Sequence, residues 1–284
     1  MVPSLRSIAL SAALLSVLSA AFVTEAMIPA PFAAASRNVV AVSGAAMSGP
    51  HSAATLRRAV PLYRVRRGAS LMAAATLLAV ADQPDIRPRD RALLSEVLIA
   101  LPSLCRDNLR SLYVRYNDSD RRGLGGASTI IITRSSSTSD LEFQKLVGHE
   151  CGHVASLGGM RGTAGAGTTA YFDGNQPIYA DSRAMGFYQL SWQTANRRWP
   201  DSSDSDFVSG YAKTDIFEDF AETFALYAFN RAAFQTMTQT SPVLLLKYRW
   251  MEQNVFGGGR MIAMGSSYAP PSAAFRPWDV TKLP

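Results

Sequence analysis

The chain is poor in the residues that most often build reactive centres. It holds three histidines and two cysteines in 284 residues, and arginine outnumbers lysine by 24 to 4. No cysteine follows the N-terminal apolar stretch closely, so lipoprotein anchoring lacks its attachment residue. Beyond that stretch no apolar run reaches the length that spans a bilayer, which argues against stable membrane insertion once it is removed. Aromatic residues do not interleave the basic part of the chain in any recognisable module, so nucleic acid is excluded as a main partner. With Cys105 and Cys151 as the whole thiol inventory, an exported chain in oxidising surroundings could pair them, or both could be buried free thiols. No function is drawn from the arginine bias.

What is present is enough apolar residue, 48% of the chain, to bury a substantial core in one unit of two lobes. The net charge of +6 is uneven: residues 1–110 carry 12 basic against 6 acidic side chains, and residues 111–284 carry 16 of each. Residues 1–26 have the pattern of a secretory signal, with Arg6 before the apolar run Ile8 to Val23 and small residues suited to cleavage. This predicts a secreted or periplasmic protein. Residues 27–68, rich in Ala, Ser, Pro and Arg, are expected to be a low-complexity linker or pro-segment, with Arg64 to Arg67 as a candidate processing site. The folded catalytic domain is expected over 69–284.

Two of the three histidines fall in Ser139 to Gly159, as His149-Glu150-Cys151-Gly152-His153. Ser139 with Glu142 reads as a capping box, Asp140 favours the first turn, and Gly158 and Gly159 supply a stop, so the stretch is predicted to be helical. At about 100° per residue the two imidazoles share one stripe with Glu150 on its flank. That is the H-E-x-x-H pattern, in which both histidines ligate zinc and the glutamate acts on water as a base. Phe143, Val147, Cys151 and Val154 fall on the opposite, packing side, so Cys151 is not counted as a ligand.

A catalytic zinc site usually takes a third protein ligand. The extended metzincin pattern would need histidine where Gly159 stands, and His51 lies in the low-complexity region. A carboxylate is the remaining donor. Asp215 to Asn230 reads as a second helix on which Glu218 and Glu222 share a face. Glu218 is assigned to the metal and Glu222 to orienting a ligating histidine, with Asp219 as the spare. Asp173, in a glycine and threonine run reminiscent of aspzincins, is a minor alternative.

HECGH followed by a helix with E-x-x-x-E resembles the gluzincin metallopeptidases. The run from Tyr211 to Glu222 is similar to the catalytic domain of the anthrax lethal factor type, where a tyrosine precedes the ligand glutamate by seven residues. The resemblance covers roughly Asp107 to Asn230. It implies an α+β zincin-like fold, a small mixed sheet and the active-site helix in an upper lobe, and a mainly helical lower lobe. It also implies one catalytic Zn2+ on His149, His153 and Glu218, Glu150 as base, and Tyr211 as donor to the developing oxyanion.

The rest of the chain fits that order. Residues 69–82 and 89–101 are expected as helices, the second ended by Pro102. Leu109 to Asn117 and Ala127 to Thr133 are expected as strands, with a turn-rich loop at 117–126 between them. Gly125 to Ile130 is expected as an edge strand that takes an extended peptide, although the triple isoleucine also suits an interior strand. Residues 160–178 read as mobile, Asp181 to Trp192 as core, Asp201 to Asp206 as a solvated turn, and Pro242 to Phe256 as a closing helix. The expected function is hydrolysis of peptide or protein substrates by a zinc-activated water. The alternatives are a non-catalytic zinc-binding relative and a zinc amide hydrolase acting on cell-wall peptides.

Overall fold

The computed structural model describes residues 83–116, 121–133, 138–257 and 271–284. The expected signal, linker and first helix, with His51 and the Arg64 to Arg67 cluster, lie outside the described residues. Those described form an α+β arrangement of helices and three small sheets. Among them no helix is long and apolar enough to cross a membrane.

Helix α1, Pro88–Ala100, starts on a proline whose missing N–H costs nothing in a first turn, and Pro102 follows its end. After the short α2, Ser103–Arg106, come strands β1 (Ser111–Arg115), β2 (Gly123–Gly125) and β3 (Thr129–Thr133). The sheet order is β1-β3-β2, with β1 parallel and β2 antiparallel to β3. Two expectations are corrected here. The loop expected at 117–126 contains a strand, because Gly123-Leu-Gly125 pairs with Ile130 to Ile132. The edge expected over Gly125 to Ile130 is divided: Gly125 ends the edge strand β2, whereas Thr129 and Ile130 belong to the central β3. Ile130 and Ile132 are fully buried, which is why that run is β-branched.

Helix α3, Asp140–His153, carries the histidine motif. Ser139 Oγ accepts the Glu142 N–H at 3.1 Å, but the capping box is only half formed, since the Glu142 carboxylate reaches Arg122 at 2.5 Å. A π-helical turn, Val154–Gly159, follows directly. The helical run ends at Gly159, as expected, but neither Gly158 nor Gly159 takes a positive φ to end it. A Cβ on Gly158 would lie 1.9 Å from the Ala127 carbonyl oxygen, so the glycine permits close approach to the strand connection. The stretch after this turn carries the hairpin of β4 (Thr168–Asp173) and β5 (Gln176–Tyr179). Next come α4 (Met185–Tyr188) and the small ladder of β6 (Trp192–Thr194) with β7 (Arg197–Arg198). Phe187, Tyr188 and Trp192 are core residues, as expected.

Helix α5, Ile216–Phe229, is capped by Asp215, whose carboxylate accepts the Phe217 and Glu218 N–H groups. Helices α6 (Arg231–Met237) and α7 (Pro242–Asn254) complete the helical part. Helix α5 packs directly on α3 at Gly152, where a Cβ would come within 2.7 Å of the Ala221 Cα. The glycine inside the motif therefore lets the two helix backbones close up and brings Glu218 within reach of the histidines. The phase of α5 is locked from behind by Asp219. That carboxylate is fully buried and takes hydrogen bonds from Lys247 Nζ at 2.6 Å and Trp192 Nε1 at 2.9 Å. Asp219 is thus excluded as a spare ligand, because it points away from the histidines into a buried ion pair. Asp206 is likewise structural: its carboxylate accepts the Ser203 N–H and the Ser241 hydroxyl.

Candidate metal centre

Glu150, His149 and His153 are buried, and the motif faces a cleft of about 690 Å³. His149 Nε2 lies 3.1 Å and His153 Nε2 3.4 Å from Glu218 Oε2, and the two ring nitrogens are 3.3 Å apart. Among the described residues these three form a group that could hold a metal ion, with one ligand atom from each within 4.8 Å of the others. Asp173 lines the cleft but is not part of the group.

The chemistry of the donor set fits a cation. His149 Nδ1 is 2.9 Å from Glu222 Oε1, and a carboxylate can only accept, so Nδ1 carries the proton and Nε2 presents its lone pair. Glu218 Oε2 is buried and has no hydrogen-bond partner despite its two imidazole neighbours. Lone pairs aimed at one another in a dry site repel unless a positive charge lies between them. Without a metal a proton supplies that charge. Burial alone would lower the His149 pKa, but the Glu218 and Glu222 carboxylates facing its two ring nitrogens outweigh it and hold the ring well above its ordinary value. Burial alone would raise Glu218, yet the His149 and His153 rings hold its carboxyl far below the ordinary range.

Glu222, the partner of His149 Nδ1, is itself held in place. It is fully buried, and its second oxygen accepts the Ser209 hydroxyl at 2.6 Å and the Val280 N–H at 3.0 Å. Neither partner is signalled by the motifs, and the segment around Val280 reads as loop in the sequence. Yet this segment forms one wall of the site. Asp279 pairs with Arg122, Lys145 Nζ donates to the Leu283 carbonyl, and Trp278 packs near Tyr211 with ring centroids 6.4 Å apart. Burial lowers the Lys145 pKa to about 8, the cost of seating an ammonium under this wall.

Glu150 is only 3% exposed, and its carboxylate makes no hydrogen bond to another described residue. Burial raises its pKa; the two histidines offset part of that rise. Strand β2 lies directly on it. A Cβ on Gly123 would come 2.0 Å from Glu150 Oε1, and one on Gly125 2.8 Å from Oε2. The two glycines leave the space that the carboxylate occupies, and β2 sits at the edge of its sheet.

Tyr211 is in the site but is already engaged. Its hydroxyl donates to Glu218 Oε1 at 2.8 Å, and its ring stacks on His149 with centroids 5.9 Å apart. Burial and the Glu218 charge raise its pKa far above the ordinary phenol value, so it stays a donor at every working pH. Two roles then separate by experiment. If Tyr211 donates to a reacting oxygen, Tyr211→Phe lowers kcat by about 100-fold to 1000-fold with metal affinity little changed. If it only orients Glu218, the loss appears as about 10-fold to 100-fold in metal affinity. Turnover at saturating metal, measured beside chelator competition, distinguishes them; we expect the first pattern.

No known protein family, curated protein or solved structure matches this chain. The functional reading therefore rests on the site itself.

Proposed function

We propose that the chain is an exported zinc-dependent peptidase of the gluzincin kind, with a zincin-like fold resembling the lethal factor type of catalytic domain. The observation that carries this is the convergence of His149 Nε2, His153 Nε2 and the unpartnered Glu218 Oε2, with a free buried glutamate beside them. Zinc suits two imidazoles and a carboxylate, and when bound it supplies a Lewis acid that acidifies water and polarises a carbonyl. The protein's own groups do the rest. Glu150 takes the proton from the attacking water and returns it to the leaving amine. Glu222, held by Ser209 and the Val280 N–H, keeps His149 in the tautomer that presents Nε2. The Tyr211 hydroxyl is the donor for the oxygen that gains charge. The edge of β2 offers backbone groups to an extended substrate.

The deciding experiment is the metal content of the mature protein, then cleavage of a peptide library with and without chelator. Zinc held with no cleavage of any peptide would favour a binding protein over an enzyme. A Glu218→Ala chain that retained all of its zinc would sink the ligand assignment, and Asp173→Ala is the control.

Metal binding should be strongly pH dependent. In the metal-free fold the His149 pKa is raised well above about 6.5, the ordinary imidazole value. A raised folded-state pKa gives stability that is fully present below the ordinary value and is lost as pH rises through the raised one. Zinc must displace that proton, so its affinity rises with pH across this window and a proton leaves on binding. Titration calorimetry at neutral pH in buffers of differing ionisation enthalpy reads the proton directly. Identical heats in all buffers would refute the exchange.

A further inference from the structure

Trp278 is 68% exposed, the most exposed of the large apolar side chains described, although it stands in the wall of the cleft. Water-exposed indole is unfavourable, so a rigidly mounted exposed ring beside a reactive centre calls for a partner. The mounting is built. The Tyr211 N–H donates to the Trp278 carbonyl at 2.7 Å, and the Gly210 N–H donates to the Pro277 carbonyl at 2.8 Å. The indole packs against Gly210, where a Cβ would come 2.3 Å from its Cε3. On the other side, Asp279 pairs with Arg122 and Val280 is tied to Glu222. The ring also closes a row. His149 stacks on Tyr211 at 5.9 Å, and Tyr211 lies 6.4 Å from Trp278, so the indole is one ring removed from the metal ligand. Arg122, next to β2, is taken up by Glu142 and Asp279, while Arg121 and Lys282 also line the cleft.

We infer that Trp278 is the specificity platform that receives the substrate side chain flanking the scissile bond, and that an aromatic or other large flat apolar side chain is preferred there. The inference rests on the zinc peptidase reading. It is tested with the zinc-loaded full chain and two probes that grip the metal through the same group, acetohydroxamate and the hydroxamate of phenylalanine. The wild type is expected to bind the aromatic probe at least about tenfold more tightly than the methyl probe. Trp278→Ala removes that advantage while acetohydroxamate affinity stays as it was, and Trp278→Phe keeps most of it. A purely structural role would weaken both probes together and would overturn the inference. So would zinc-loaded wild type with no aromatic advantage, or with a preference for an acidic counterpart such as the aspartate hydroxamate, which Lys282 on the same wall would favour. All three outcomes leave the peptidase reading intact. Protein that holds no zinc overturns that reading as well.

Discussion

Glu150→Gln is expected to keep stoichiometric zinc and to lose about 100-fold to 10 000-fold in turnover, the range for removing a positioned general base. Glutamine matches glutamate in shape, so it fits the slot between α3 and the glycines of β2 without new contacts. Glu150 lies outside the group formed by His149, His153 and Glu218, so the metal should stay. The fold should not suffer either. Burial penalises the charged carboxylate, and no described residue compensates it through a hydrogen bond, so a neutral isostere removes a cost. A catalytic base is thus separated from a structural carboxylate by opposite signs: activity falls while stability holds or rises. Measuring kcat, zinc content and the denaturant midpoint on one preparation tests all three. Unchanged turnover would end the hydrolytic mechanism, and lost zinc would make Glu150 a ligand instead.

The motif helix and its partner were legible because their information is local. Imidazoles four apart, an N-terminal serine and an aspartate cap fix α3 and α5 within a turn, and Glu218 and Glu222 fall on one face by helical period alone. What escaped is information that exists only in three dimensions. Strand β2 is Gly-Leu-Gly, a poor strand by propensity, since its glycines are there to clear Glu150 rather than to pair well. Gly158 and Gly159 read as a stop, and they serve close approach. Asp219 sits beside Glu218 with the same charge and is the spare ligand by sequence, but only Lys247, 28 residues away, shows which way it faces. Ser209, Trp278 and Val280 reach the centre through turns without any period, so no pattern announces them.

The sulfurs of Cys105 and Cys151 form a disulfide, which closes a loop across 46 positions of sequence and decides between the two states that composition left open. Both residues are fully buried, and Cys151 lies midway in sequence between the two motif histidines of α3. The bridge therefore staples the back of the metal helix to α2, while Gly152 and α5 hold its side. Chain-entropy arithmetic for a loop of that size gives about 4 kcal/mol of stabilisation. That is a large share of the roughly 5 to 15 kcal/mol that holds a domain folded. The double variant Cys105→Ala/Cys151→Ala is expected to lose about that much in urea unfolding, with a steeper denaturant slope because its unfolded chain is freer to expand. Zinc should restore part of the loss, since a ligand that binds only the folded state stabilises it by mass action. If the staple matters to the site as well as to the fold, the double variant at saturating zinc will still show weaker metal retention under chelator challenge than the wild type. Equal stability in the two proteins would mean that α3 is fixed by its packing on the sheet and α5 alone, and that the bridge adds nothing to the geometry of the histidines.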